Sequence, residues 1–143
     1  MIAVDTNILV YAHRQDTPFH AKAKPVLDAL IVGSRPWTVP WTCLHEFYSV
    51  ATNPRVFNTP TTPVRAIEQI DAWMESPSFA PVAEGTAHLA LLRRLVVDGN
   101  IQGPKVHDAR VYALCLAHGV SELWSADRDF TRFAGLRVRN PLV

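Results

Sequence analysis

In its opening segment, MIAVDTNILVYA, the chain changes hydrophobic period across a polar break. Ile2, Ala3 and Val4 form a continuous apolar run of the kind a strand buried on both faces requires. Ile8, Tyr11 and Ala12, with Leu9 between them, return at helical spacing, so a strand leads straight into a helix. Asp5, Thr6 and Asn7 stand at the junction. Burying an ionised carboxylate costs several kcal/mol unless something pairs with it. A chain needing only a strand and a helix would avoid an acid here, so Asp5 calls for partners from elsewhere.

The same alternation continues. Residues 20–31 fit a second helix, stopped by Gly33-Ser34-Arg35-Pro36, and Trp37 to Val39 a second strand ended by Pro40. Thr42 is the expected N-cap of a third helix carrying Leu44, Phe47, Tyr48 and Ala51, with Glu46 in its first turns. Thr62-Pro63 reads as a cap followed by proline at the first helical position, opening a helix over residues 62–75. Phe79 to Val82 is expected as a third strand, Thr86 to Val97 as a leucine-rich helix, and Pro104 as the start of a helix reaching about His118. That last helix is apolar nearly all round and should be buried, with Gly119 just beyond its end. Glu122 to Trp124 supply a fourth strand, Ser125 to Phe133 a polar turn with a short helix, and Leu136 to Arg139 a final strand. Strands separated by helices imply an α/β, three-layer domain with a mostly parallel central sheet flanked by helices, one domain over residues 1–143. Sites in such sheets form beyond the carboxyl ends of the strands, where Asp5 and Asp127 fall.

With 48% hydrophobic and 19% charged residues the chain is of ordinary globular composition. No apolar stretch approaches the roughly 18 residues of a membrane span, and Asp5 comes too early for a secretory signal, so a cytoplasmic protein without membrane association is expected. Cys43 and Cys115 have no metal-ligand spacing and read as buried thiols. His45 and His107 adjoin acids, but neighbouring helical positions project about 100° apart, and without an HExxH spacing they do not build a zinc site. The absence of a P-loop, a dinucleotide fingerprint or a GxSxG elbow argues against nucleotide cofactors and a serine hydrolase.

Four elements each present an acid near an end: Asp5, Glu46, Asp108 at the head of the most apolar helix, and Asp127 in WSADRDF, with Asp129 following. Each has a plain structural use. Asp5 could cap a helix, Glu46 and Asp108 could favour a helix N-terminus, and Asp127 and Asp129 could be turn residues. Gathered together, they would repel and raise one another's pKa, which calls either for protons or for a divalent cation. Hard oxygen donors suit Mg²⁺ or Mn²⁺.

VDTNILVYA, the LHEF helix, HDARVYALC and WSADRDF, in this order and over essentially the whole chain, resemble the PIN domain and within it the VapC-type toxin ribonucleases of toxin-antitoxin pairs. The resemblance implies that Asp5, Glu46, Asp108 and Asp127 form an acidic metal site, with Asp5 and Asp108 as direct ligands. Thr6 and Asn7 would orient Asp5, Ser125 stands where the family often has threonine, and Asp129 belongs to the same closing motif in a supporting role. It further implies a Mg²⁺-dependent endoribonuclease (Mn²⁺ serving as well) that cuts RNA with a metal-activated water and leaves 5′ phosphates. A VapB-type antitoxin and a homodimer are the implied partners. Arg14, Lys105, Arg110 and Arg128 are candidates to hold RNA phosphates, and Trp41 to stack on a base. The competing expectation is a regulatory or RNA-binding PIN-like domain acting without turnover. A phosphatase-type α/β domain is disfavoured, because DTN lacks the second aspartate such sites use.

Overall fold

The computed structural model describes the backbone of residues 1–143 and every side chain except those of Thr131 and Arg132. Its strands are β1 (Ile2–Val4), β2 (Trp37–Thr38), β3 (Glu122–Trp124) and β4 (Arg137–Arg139), and all neighbouring pairs are parallel in the order β2-β1-β3-β4. Its α-helices are α1 (Thr6–His13), α2 (His20–Val32), α3 (Trp41–Ala51), α4 (Pro63–Met74), α5 (His88–Asp98) and α6 (Val106–Ala117). Every residue of β1, β2 and β3 is buried, as apolar runs in a sheet covered on both faces must be. Only β4, with Arg137 and Arg139 exposed, behaves as an edge.

Helices α1 to α4 pack in succession, α1 against α2 and α3 and α3 against α4, while α5 packs on α6. The core between helices and sheet is led by Trp37, Tyr112, Phe47, Phe130 and Leu9. As expected of a nearly all-apolar helix, α6 buries Ala109, Val111, Tyr112, Ala113, Leu114 and Cys115. The Tyr112 hydroxyl donates to the Phe133 carbonyl and accepts from the Leu136 N–H, fastening the turn ahead of β4 to this helix. Thr62 caps α4 by accepting from the Arg65 N–H, and Gly119, at φ +64, takes the left-handed turn beyond α6.

Several local expectations are corrected. Phe79 to Val82 is not a strand: Phe79 makes one parallel bridge to Trp37, the Trp37 N–H donating to the Ser78 carbonyl and the Ala80 N–H to the Trp37 carbonyl, and β2 ends one residue later at Thr38. The sheet therefore has four strands. Thr42 is not the cap of α3, because the helix begins one residue earlier and the Pro40 carbonyl accepts the Cys43 and Leu44 N–H groups. Glu46 consequently stands at mid-helix. The leucine-rich helix begins at His88 rather than Thr86, and Pro104 lies in a 3₁₀ turn, Gly103–Lys105, that leads into α6.

Candidate active site

Strand register places the first acid. Val4 pairs with Trp124, and the Asp5 N–H donates to the Trp124 carbonyl at 2.9 Å, so Asp5 and Ser125 leave adjacent strands side by side. Asp5 then caps α1, its Oδ1 accepting from the Thr6 N–H at 2.8 Å. Capping thus uses Oδ1 and leaves Oδ2 for other partners. Its Oδ2 accepts from the Ser125 hydroxyl at 2.7 Å and from Asn7 Nδ2 at 3.3 Å, while Asn7 Oδ1 accepts from the Ala126 N–H. Asn7 thereby ties the start of α1 to the segment following β3.

Glu46 reaches the same place from α3, with its Oε2 accepting from the Thr6 hydroxyl at 3.2 Å. Asp108 projects from the first turn of α6, and Asp127 follows β3, accepting from the Asp129 N–H as the cap of the 3₁₀ turn Arg128–Arg132. Carboxylate oxygens of Asp108, Asp127 and Asp129 lie within 4.8 Å of one another. Asp5, Glu46, Asp108 and Asp127 line a single cleft of about 360 Å³, together with Thr6, Tyr11, Thr42, Phe57 and His107 among others. The four expected acids line one cleft, and Asp129 joins two of them, Asp108 and Asp127, as a close neighbour as well as serving the turn.

Charge at the site is unbalanced. Burial, opposed by the Ser125 and Thr6 hydrogen bonds and reinforced by repulsion from Glu46, raises the Asp5 carboxyl from 3.8 to about 6. Burial also raises Asp108, with repulsion from Asp127 and Asp129 adding to it and Lys105 opposing it. Among the described residues no basic side chain forms an ion pair with Asp5 or Asp108; Lys105 pairs instead with Asp129 at 2.7 Å. A compact set of hard oxygen donors with excess negative charge is a donor set for a divalent cation.

The candidate RNA contacts scatter more widely. Arg14 is held by Asp16 and lies over the Phe57 ring at the far end of the cleft. Arg110 pairs with Glu84 and does not line the cleft. Arg128 is exposed in the turn beside Asp127, and Trp41, part-exposed, lies against His45 at the start of α3. One contact went unanticipated: the buried Cys43 thiol donates to Asp5 Oδ1 at 3.7 Å. Its position one helical turn before Glu46 was the available signal.

Residues 2–136 match the PIN domain family. Ribonuclease VapC43 of Mycobacterium tuberculosis is 39% identical over 142 residues, covering 99% of this chain and 96% of the relative. Among solved structures, Mycobacterium tuberculosis VapC20, a sarcin-ricin loop cleaving toxin, superposes with a TM-score of 0.68 at 16% identity, covering 97% of this chain and 99% of that one. A chain of VapBC2 from Rickettsia felis, solved on a DNA fragment from their promoter, gives a TM-score of 0.65 at 18% identity, covering 97% and 98%. At such identities these structures speak for the fold, and VapC43 carries the relationship in sequence. With the matching acids gathered in one cleft, the chain belongs to the PIN domain family and, within it, to the VapC ribonucleases.

Proposed function

We propose that this chain is a divalent-metal-dependent endoribonuclease, the toxin half of a toxin-antitoxin pair, acting as a single domain over residues 1–143. The observation that carries this reading is the meeting of Asp5, Glu46, Asp108 and Asp127 in one cleft, with Asp129 against two of them and, among the described residues, no ion pair to Asp5 or Asp108. Asp5, Glu46, Asp108 and Asp127 would form the site for Mg²⁺, or Mn²⁺ in its stead, with Asp5 and Asp108 as the direct ligands. When bound, the ion supplies positive charge at the scissile phosphate and acidifies a water. Ser125, Asn7 and Thr6 keep Asp5 in one orientation, so little reorganisation accompanies binding. Glu46 or Asp127 accepts the proton of the attacking water, and RNA is left with a 5′ phosphate.

Antitoxin-free protein incubated with total RNA is expected to cleave it with Mg²⁺ and to stop on addition of EDTA. Asp108→Asn is expected to lower cleavage by about 100-fold or more while the protein stays folded by circular dichroism. Stable RNA binding without cleavage would replace this reading with an RNA-binding, regulatory one. The partners that belong with it are a VapB-type antitoxin and a second copy of the chain. Val64 and Ile67 on α4 and Val32 on α2 remain exposed and offer apolar surface for such contacts. No helix among the described residues is long and apolar enough to cross a membrane, and the cytoplasm is the proposed location.

A further inference from the structure

The active-site cleft does not end at its acids. Val10, Tyr11 and Phe57 also line it, and the Arg14 guanidinium lies over the Phe57 ring, 4.1 Å from the ring centroid. Arg14 in turn lines a second and larger cavity of about 760 Å³ between the end of α1 and α4. One stacked pair thus joins a lining residue of each hollow. From Asp5 to His13 is about 12 Å along the helix at 1.5 Å per residue, a short span of extended single strand.

The lining of this second cavity is built rather than incidental. Arg14 grips Asp16 through two nitrogens, at 2.9 and 2.6 Å, and donates a third hydrogen bond to the Thr61 hydroxyl. Thr61 also meets His13 Nε2 at 3.0 Å, and His13 Nδ1 meets Gln69 Oε1 at 2.9 Å. Burial and the nearby Arg14, Arg65 and His20 lower the His13 pKa, so a neutral ring donates from Nδ1 and accepts the Thr61 hydroxyl at Nε2. The relay leaves the Gln69 amide nitrogen without a hydrogen-bond partner among the described residues. The Glu68 carboxylate and the Arg65 guanidinium, also lining the cavity, make no ion pair among them either.

An amide donor, a carboxylate acceptor and a cation answer the two parts of a nucleotide. Amide and carboxylate match the mixed donors and acceptors of a base edge, and a guanidinium matches a phosphate. A purely anionic ligand would have no use for Glu68. We propose that this cavity is a second RNA subsite, taking one unpaired nucleotide beside the scissile phosphate, with Arg65 on its phosphate and Gln69 and Glu68 on its base. The subsite rests on the ribonuclease reading above. It selects RNA that is single-stranded on that side of the cut, since a paired base has no free edge to offer.

The test uses the full chain with Mg²⁺ and two substrates, a short unstructured RNA of mixed sequence and bis(p-nitrophenyl) phosphate, a diester with no neighbouring nucleotide. Arg65→Ala and Gln69→Ala are expected to raise KM for RNA about 10-fold with kcat little altered, while KM for the small diester does not follow. Arg65→Ala should also reduce the slope of log KM against log salt by about one. Arg35→Ala, an exposed charge remote from both hollows, controls for general electrostatics. Wild-type KM and salt slope in both cavity variants overturn the subsite. If the unaltered chain hydrolyses neither substrate, the ribonuclease reading fails. The subsite is then decided by RNA titration of the unaltered and Arg65→Ala chains, where equal affinities refute it.

Discussion

At the scale of single residues the molecule is organised around Asp5, which is almost wholly buried and holds its charge on hydrogen bonds alone. Because its carboxyl is raised from 3.8 to about 6 in the fold, the native state binds a proton more tightly than the unfolded chain over that interval. Its contribution to stability is therefore full at low pH and is lost as pH rises toward 6 and beyond, by up to about 3 kcal/mol in total. Urea unfolding in EDTA at pH 5 and pH 7.5 should show this decline, Asp5→Asn should flatten it, and Mg²⁺ should reverse it in the unaltered protein. Ser125→Ala and Cys43→Ala each remove a donor to this carboxylate. Both are expected to weaken Mg²⁺-supported cleavage about 10-fold or more while leaving the fold intact, with a matching rise in the Mg²⁺ concentration needed for half-activity. Ser125 and Asn7 were legible through the resemblance to the PIN domain, whose motifs they match in DTN and WSADRDF. Cys43 was marked only by its place one turn before Glu46, since a thiol in an apolar stripe otherwise looks the same whether it packs against leucine or donates to an acid.

At the scale of elements, patterns that depend on neighbours along the chain were legible and those that depend on a distant partner were not. The strand-to-helix switch at Asp5, the Thr62 cap and the apolar α6 all rest on local chemistry. Phe79 to Val82 has a strand's composition, but the ladder it would extend is the two-residue β2, which it meets in a single bridge at Trp37. The convergence of acids from β1, α3, α6 and the turn after β3 is likewise a product of sheet order, which composition and spacing do not determine. Tyr112 shows how one side chain secures an element it does not belong to. Tyr112→Phe leaves the Leu136 N–H without its acceptor and should cost about 1–3 kcal/mol. Hydrogen exchange should then accelerate in residues 133–139 ahead of the rest of the molecule.

At the scale of the whole molecule several large apolar side chains stand exposed on α4 and α5. No residue of α5 is buried, Leu89 and Val97 on it are 61% and 69% exposed, and Val64 on α4 is 67% exposed. Faces of this kind mark contacts with other chains. Sedimentation is expected to give twice the 15.9 kDa of a single chain, and a charged substitution at an exposed apolar position in the contact, Ile67→Glu or Leu89→Glu, should return the monomer with its circular dichroism unchanged.

The pairing of β1 with β3 joins Asp5 to a hydroxyl 120 positions later. Asp5 thus acquires its aligning hydroxyl only once β3 has docked beside β1, so the shape of the acid cluster belongs to the closed sheet and to no single stretch of chain.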